Sequence, residues 1–252
     1  MLLHLLSMIT LNRRIRILNY VSLIMLTVLL GMIFFYAPPE RTMGNMYRFL
    51  YFHVGSAWPA ALSFFVALVT GLAYLKTRSM KWDIISMASV EIGLVLFTMT
   101  IVSGSIWGRP AWNTWWEWTP RLIGVTIVWL AYVGYFVLRS AIDDPEKRAR
   151  FAAVYVVAAF PTVVVTYLSI RFFRDLHPVL VGGATEAVES AGAAEGESDF
   201  GGGINSARMG VTLTYSFVVF SVIYATWLAN RYRLELLRQR VDGMKARMLA
   251  RL

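Results

Sequence analysis

Cysteine is absent from this sequence. That excludes disulfides, thiolate metal sites and thiol-exchange chemistry. Histidine is almost absent: His4, His53 and His177 are the only three, so any imidazole ligation must draw on them. Charge is scarce as well. Asp, Glu, Lys and Arg make up 15% of the chain, where a soluble domain carries about a quarter. With 58% hydrophobic residues, the 252-residue chain is an all-α polytopic membrane protein. It contains no P-loop and no internal repeat. The net charge of +9 is not arranged as an interleaved basic and aromatic reading surface, which argues against nucleic-acid binding.

What the chain does have is six apolar runs of bilayer length: Ile17–Tyr36, Phe52–Leu75, Asp83–Ile106, Leu122–Leu138, Phe151–Ile170 and Gly210–Leu228. About 20 apolar residues span a bilayer, and backbone satisfaction in lipid makes each run a helix. The first run follows Arg13, Arg14 and Arg16 but is too long for a signal-peptide core and lacks a small-x-small cleavage site, so a retained helix is expected. The N-terminus, 76–82, 139–150 and the tail from 229 hold seventeen basic residues, whereas 37–51, 107–121 and 171–209 hold seven. The positive-inside rule then expects both termini in the cytoplasm and His53, His177 and 107–121 on the outer side.

Five of the nine tryptophans, Trp107, Trp112, Trp115, Trp116 and Trp118, fall within twelve residues between the third and fourth runs. One or two would anchor the interface. Five in a Gly- and Pro-broken loop suggest a flat aromatic platform for a large planar ligand. His53 at the outer mouth of the second helix and His177 just beyond the fifth share that interface. Two neutral imidazoles can ligate a haem iron axially from opposite sides; the blander role of each is a bond to backbone at a helix end. His4 falls on the cytoplasmic side. Arg48, Arg109, Arg121 and Arg174 are the outer cations near these motifs, able to grip propionates in bidentate fashion or to contact lipid headgroups. Glu91 is the one acid well inside a span. Its alternatives are a protonated carboxyl, a bond to Ser or Thr on a neighbouring helix, or a partner or access role. Ser103-Gly104-Ser105 is expected to permit close helix approach.

Two segments differ in character. Residues 182–206 carry seven Gly, five acids and no Lys or Arg, a flexible outer insertion. From Arg231 onward, Leu234, Leu237, Val241, Met244 and Met248 recur at helical spacing among basic residues. The expected organisation is a membrane domain over 1–228 and a basic amphipathic tail over 229–252, lying on lipid or docking a cytoplasmic partner.

The run from Trp107-Gly108-Arg109-Pro110 to Trp118-Thr119-Pro120-Arg121 resembles the tryptophan-rich WWD domain of haem-handling proteins, and within them the CcmC branch of cytochrome c maturation. The similarity extends to the six-helix layout and the single outer His on either side of the loop. It implies a haem-binding and delivery protein, not an enzyme, with His53 and His177 as axial ligands of a non-covalent haem b and Trp112, Trp115, Trp116 and Trp118 as platform. It implies transfer of haem to the chaperone CcmE, alongside the exporter subunits CcmA and CcmB and the small protein CcmD in an ABC transporter complex. Alternatives are a CcsA-type subunit of the other cytochrome c assembly route, whose loop reads closer to Trp-Ser-Trp-Asp-Pro-Lys, and a substrate-translocating permease subunit, which needs a polar path through the midplane. Thr119 stands where the family pattern has Asp, and neighbouring Glu117 is a candidate substitute.

Overall fold

The computed structural model describes residues 2–40, 43–173 and 206–249. Six helices in it are long and apolar enough to cross a membrane: α1 (Leu2–Gly31), extended by a π-helical turn over Met32–Tyr36; α2 (Phe49–Thr77), entered through a 3-10 turn at Asn45–Arg48; α3 (Met80–Trp112); α4 (Pro120–Ser140); α5 (Pro145–Phe172); and α6 (Ala207–Leu249). Each of the six expected spans is present.

The boundaries follow local chemistry. Asp144 accepts from Lys147 N at 2.7 Å with Pro145 at the first helical position, capping α5. Thr119 does the same for α4, its Oγ1 accepting from Leu122 N at 3.4 Å ahead of Pro120. Asp caps as well as Thr, so the Thr119 exchange keeps this bond. The helix α2 stops at Arg78 in the left-handed region, and its N–H returns to Tyr74 O at 2.7 Å.

Two boundaries differ from the sequence-based expectation. The Trp segment is not all loop: α3 continues through Trp107–Trp112 with Pro110 inside it, and only 113–119 are non-helical. Missing one N–H in a last turn is tolerable because that turn ends immediately, at left-handed Asn113. The tail is not separated from the sixth span either. Nothing between Leu228 and Arg240 breaks a helix, so α6 runs on for 43 residues.

The hairpin of α2 and α3 forms the centre and shares the largest interface of the bundle; α4 and α5 cover one side, α6 the other, and α1 packs chiefly on α6. The close approach of α2 and α3 depends on small residues. Gly93 abuts Ser63 so tightly that a Cβ could not be fitted there, and Ser86 Oγ crosses to Ala67 O at 3.1 Å. Phe64 on α2 stacks on Tyr132 of α4 with centroids 3.7 Å apart. At the end that holds most basic residues, here the basic end, Arg139 Nη1 and Nη2 donate to Asp83 Oδ1 and Oδ2 at 2.6 and 3.0 Å. Two asparagines, Asn19 and Asn230, join α1 to α6 near this end at 2.7 Å.

Candidate functional site

At the opposite end, His53 sits in the second turn of α2. Its Nδ1–H donates to the backbone carbonyl of Thr100 on α3 at 2.8 Å. That bond assigns the tautomer whose lone pair is on Nε2. A metal-ligating histidine characteristically donates its other ring N–H to a carbonyl or carboxylate in this way. The bland role anticipated for His53, a bond to backbone, is therefore present, and it uses the nitrogen that ligation does not need. Thr100 is held in turn: its Oγ1 lies 2.8 Å from Ser56 Oγ, and its carbonyl also takes Ser103 Oγ at 3.3 Å.

The imidazole lies close against Gly104. A Cβ at that position would come 2.6 Å from His53 Cε1 and 2.7 Å from Nδ1, closer than real Cβ contacts come. Gly104 thus does more than let helices approach; it leaves the space the ring occupies. We expect Gly104→Ala to swing the ring off the Thr100 carbonyl and to weaken any metal bond made through Nε2 by about 10–100-fold, the range for loss of an orienting contact. A retention assay on the purified variant, with circular dichroism to check that the helices persist, measures this.

His53 opens into a pocket between α2, α3, α4, α5 and the Trp segment. Trp107, Trp112, Trp115, Trp116 and Arg121 line it, with Tyr167 and Val125 among the side walls. Trp107 is buried and meets Trp112 edge-on at 5.4 Å. Trp116 meets Trp118 edge-on at 6.0 Å. Trp115 and Trp118 are 59% and 69% exposed. Among the described residues, the buried indole nitrogens of Trp107 and Trp116 have no hydrogen-bond partner. Buried donors are normally satisfied, so a ligand bearing acceptors fits here. Two unpaired N–H groups, one guanidinium, an imidazole lone pair and aromatic walls suit a planar, carboxylate-bearing metal macrocycle.

The structure separates the remaining candidates. Arg121 alone of the described outer arginines lines the pocket. Arg109 folds back on Asn113, donating from Nη1 to its Oδ1 at 2.6 Å and to its carbonyl, and so holds the end of α3. Arg48 donates to Phe34 O at 3.2 Å and lies over the Phe34 ring, tying α2 to α1. Glu117 and Trp118 belong to the same segment but are not in the lining. His177, Arg174 and residues 182–205 lie outside the described residues. Sequence reasoning missed Thr100 and Tyr167. Tyr167 donates to Ala57 O at 2.8 Å across the pocket flank. A backbone carbonyl contact carries no residue-type signal, and a lone tyrosine in an apolar span carries little.

Among the described residues Glu91 is bonded to no Ser or Thr, nor is it isolated. Its Oε2 accepts from Arg231 Nε at 2.7 Å, a pairing hidden from the sequence because the helices are 140 residues apart.

A family model described as Heme exporter protein C matches residues 6–247. Relatives of that name include one from Bradyrhizobium diazoefficiens, 28% identical over 216 residues, which are 86% of this chain and 76% of the relative. Another is from Rhodobacter capsulatus, 33% identical over 160 residues, 62% of this chain and 66% of the relative. A third, from Escherichia coli strain K12, is 34% identical over 162 residues, 62% of this chain and 64% of the relative.

Proposed function

Because the chain belongs to the heme exporter protein C family, we propose that it binds haem b non-covalently at the outer face of the bacterial inner membrane and hands it to the chaperone CcmE during cytochrome c maturation. It does so as a haem-handling membrane protein, not a conventional enzyme. Both termini are cytoplasmic, and CcmA, CcmB and CcmD are its companions in the complex. His53 and His177 supply the axial nitrogens. Arg121 and the indole N–H groups of Trp107 and Trp116 receive the propionates. Trp112, Trp115 and Trp116 wall the ring.

The observation that carries this reading is the tethered imidazole: His53, fixed through Nδ1 to Thr100, turned toward a tryptophan-walled pocket. Haem is here the cargo, and its iron provides the bond by which the protein holds it. The residues of this chain bind and orient it. Thr100 and Gly104 fix the imidazole, the buried Trp107 and the half-buried Trp112 form the inner wall, and the exposed Trp115 forms the rim a partner would meet.

That division of labour gives a test. Trp115→Ala is expected to lower haem loading of co-expressed CcmE by about tenfold, the effect of one interface anchor, while copurified haem falls much less. Haem on the purified protein and haem on the chaperone are measured side by side. Equal losses in both would reduce Trp115 to a pocket wall and contradict its presenting role.

A further inference from the structure

Glu91 belongs to neither the haem pocket nor the packed core. It stands on α3 eight residues beyond Asp83, about 12 Å of helix rise toward the membrane interior. Its Oε2 holds Arg231 Nε at 2.7 Å, while Arg231 Nη1 reaches Glu235 Oε2 at 3.3 Å. One guanidinium therefore serves two carboxylates. Among the described residues no other cation stands within ion-pair distance of either acid. The triad carries one negative charge more than it neutralises. The Glu91 side chain nevertheless keeps 44% of its exposure, within a span that is otherwise strongly apolar.

Two hollows meet at this carboxylate. A charged cleft of about 1410 Å³ opens toward the basic end past Asp83 and Arg139. A shallow side groove of about 570 Å³ runs along the bundle flank between α3 and α6, walled by Ile92, Val95, Trp227 and Leu234. Ionised side chains in a span face protein or water and pair with one another. An acyl chain in the groove would suit Val95 and Trp227 but strand the surplus charge. Water from the cleft would solvate the carboxylate but not the apolar wall. A helix with an apolar face and one cation at the level of Glu91 satisfies both and cancels the charge. We propose that the α3–α6 groove docks a membrane-spanning helix of a separate polypeptide, which places one Lys or Arg beside Glu91. This interface is independent of the haem assignment.

The test places a photoreactive side chain at Val95 in the full-length chain, in its native membranes, with Val165 on α5 as a control position. The crosslinked peptide is expected to come from an apolar span of another chain and to contain Lys or Arg. Glu91→Gln should lower the yield about fivefold or more, as for one lost interhelical hydrogen bond. Glu91→Lys should abolish it, and exchanging the partner's basic residue for Glu should restore it. Elution of both variants as a single detergent-solubilised species checks that they fold, whether or not haem is bound. Crosslinks to lipid alone or to a second copy of this chain, or an undiminished yield in Glu91→Gln, would overturn the proposal.

Discussion

His53→Ala is expected to abolish formation of c-type cytochromes while leaving the protein in the membrane at normal amounts. In the proposed reading the imidazole supplies one of two axial bonds, and its loss disturbs little packing because the ring lies against Gly104 and the open pocket. His177→Ala should do the same. If both histidines ligate one iron, as proposed, their effects should not add, and the double variant should be hardly worse than either single one. Haem-stained gels of membrane fractions, with an immunoblot for the protein itself, give both quantities. Normal cytochrome levels in either single variant would refute the pairing of these two histidines.

Arg139→Ala is expected to damage the fold itself. Asp83 and Arg139 form a two-pronged ion pair whose side chains are 6% and 10% exposed. Arg139 Nη1 also donates to Tyr135 Oη at 3.3 Å, and the guanidinium lies 5.6 Å from the Tyr135 ring centre. Removing the cation leaves a carboxylate buried without its partner, a change that costs about 3 kcal/mol or more. Replacing both partners, as in Asp83→Leu with Arg139→Met, removes the stranded charge along with the bond and should recover most of that loss. Thermal unfolding in detergent across the single and double variants measures the difference. If the double variant were as unstable as Arg139→Ala, the damage would lie in lost packing and not in the stranded charge.

Much of this architecture is legible in the chain, because a bilayer narrows the choices. Six apolar runs become six helices once every backbone group must be satisfied internally. The ends were harder. Gly108 and Pro110 suggest a break at Trp107, yet α3 absorbs both and stops only at left-handed Asn113, where Arg109 fastens the turn. Likewise a change from apolar to basic composition after Leu228 suggests a separate tail, but composition shifts with solvent while helical backbone need not, and α6 runs through.

The candidate site was legible as residue types and not as an arrangement. Rarity made His53 conspicuous, and clustering did the same for the tryptophans. Neither reveals that Trp107 is buried while Trp118 is exposed, or which arginine faces the pocket. Arg48, Arg109 and Arg121 are equivalent on paper; only folding turns two of them to Phe34 and Asn113 and leaves Arg121 in the lining. Thr119 illustrates the same limit. In the sequence it stands out as a missing carboxylate, whereas its hydroxyl caps α4. Glu91 gains its meaning only from Arg231, on the last helix of the bundle.

The central claim is that this chain itself holds haem through His53, and the absorption spectrum of the purified protein tests it most directly. Preparations from haem-replete membranes are expected to show a six-coordinate, low-spin b-type haem, and His53→Ala to lose that signature under the same conditions. A colourless wild-type preparation that also fails to take up added haem, or an unchanged low-spin spectrum in His53→Ala, would contradict it.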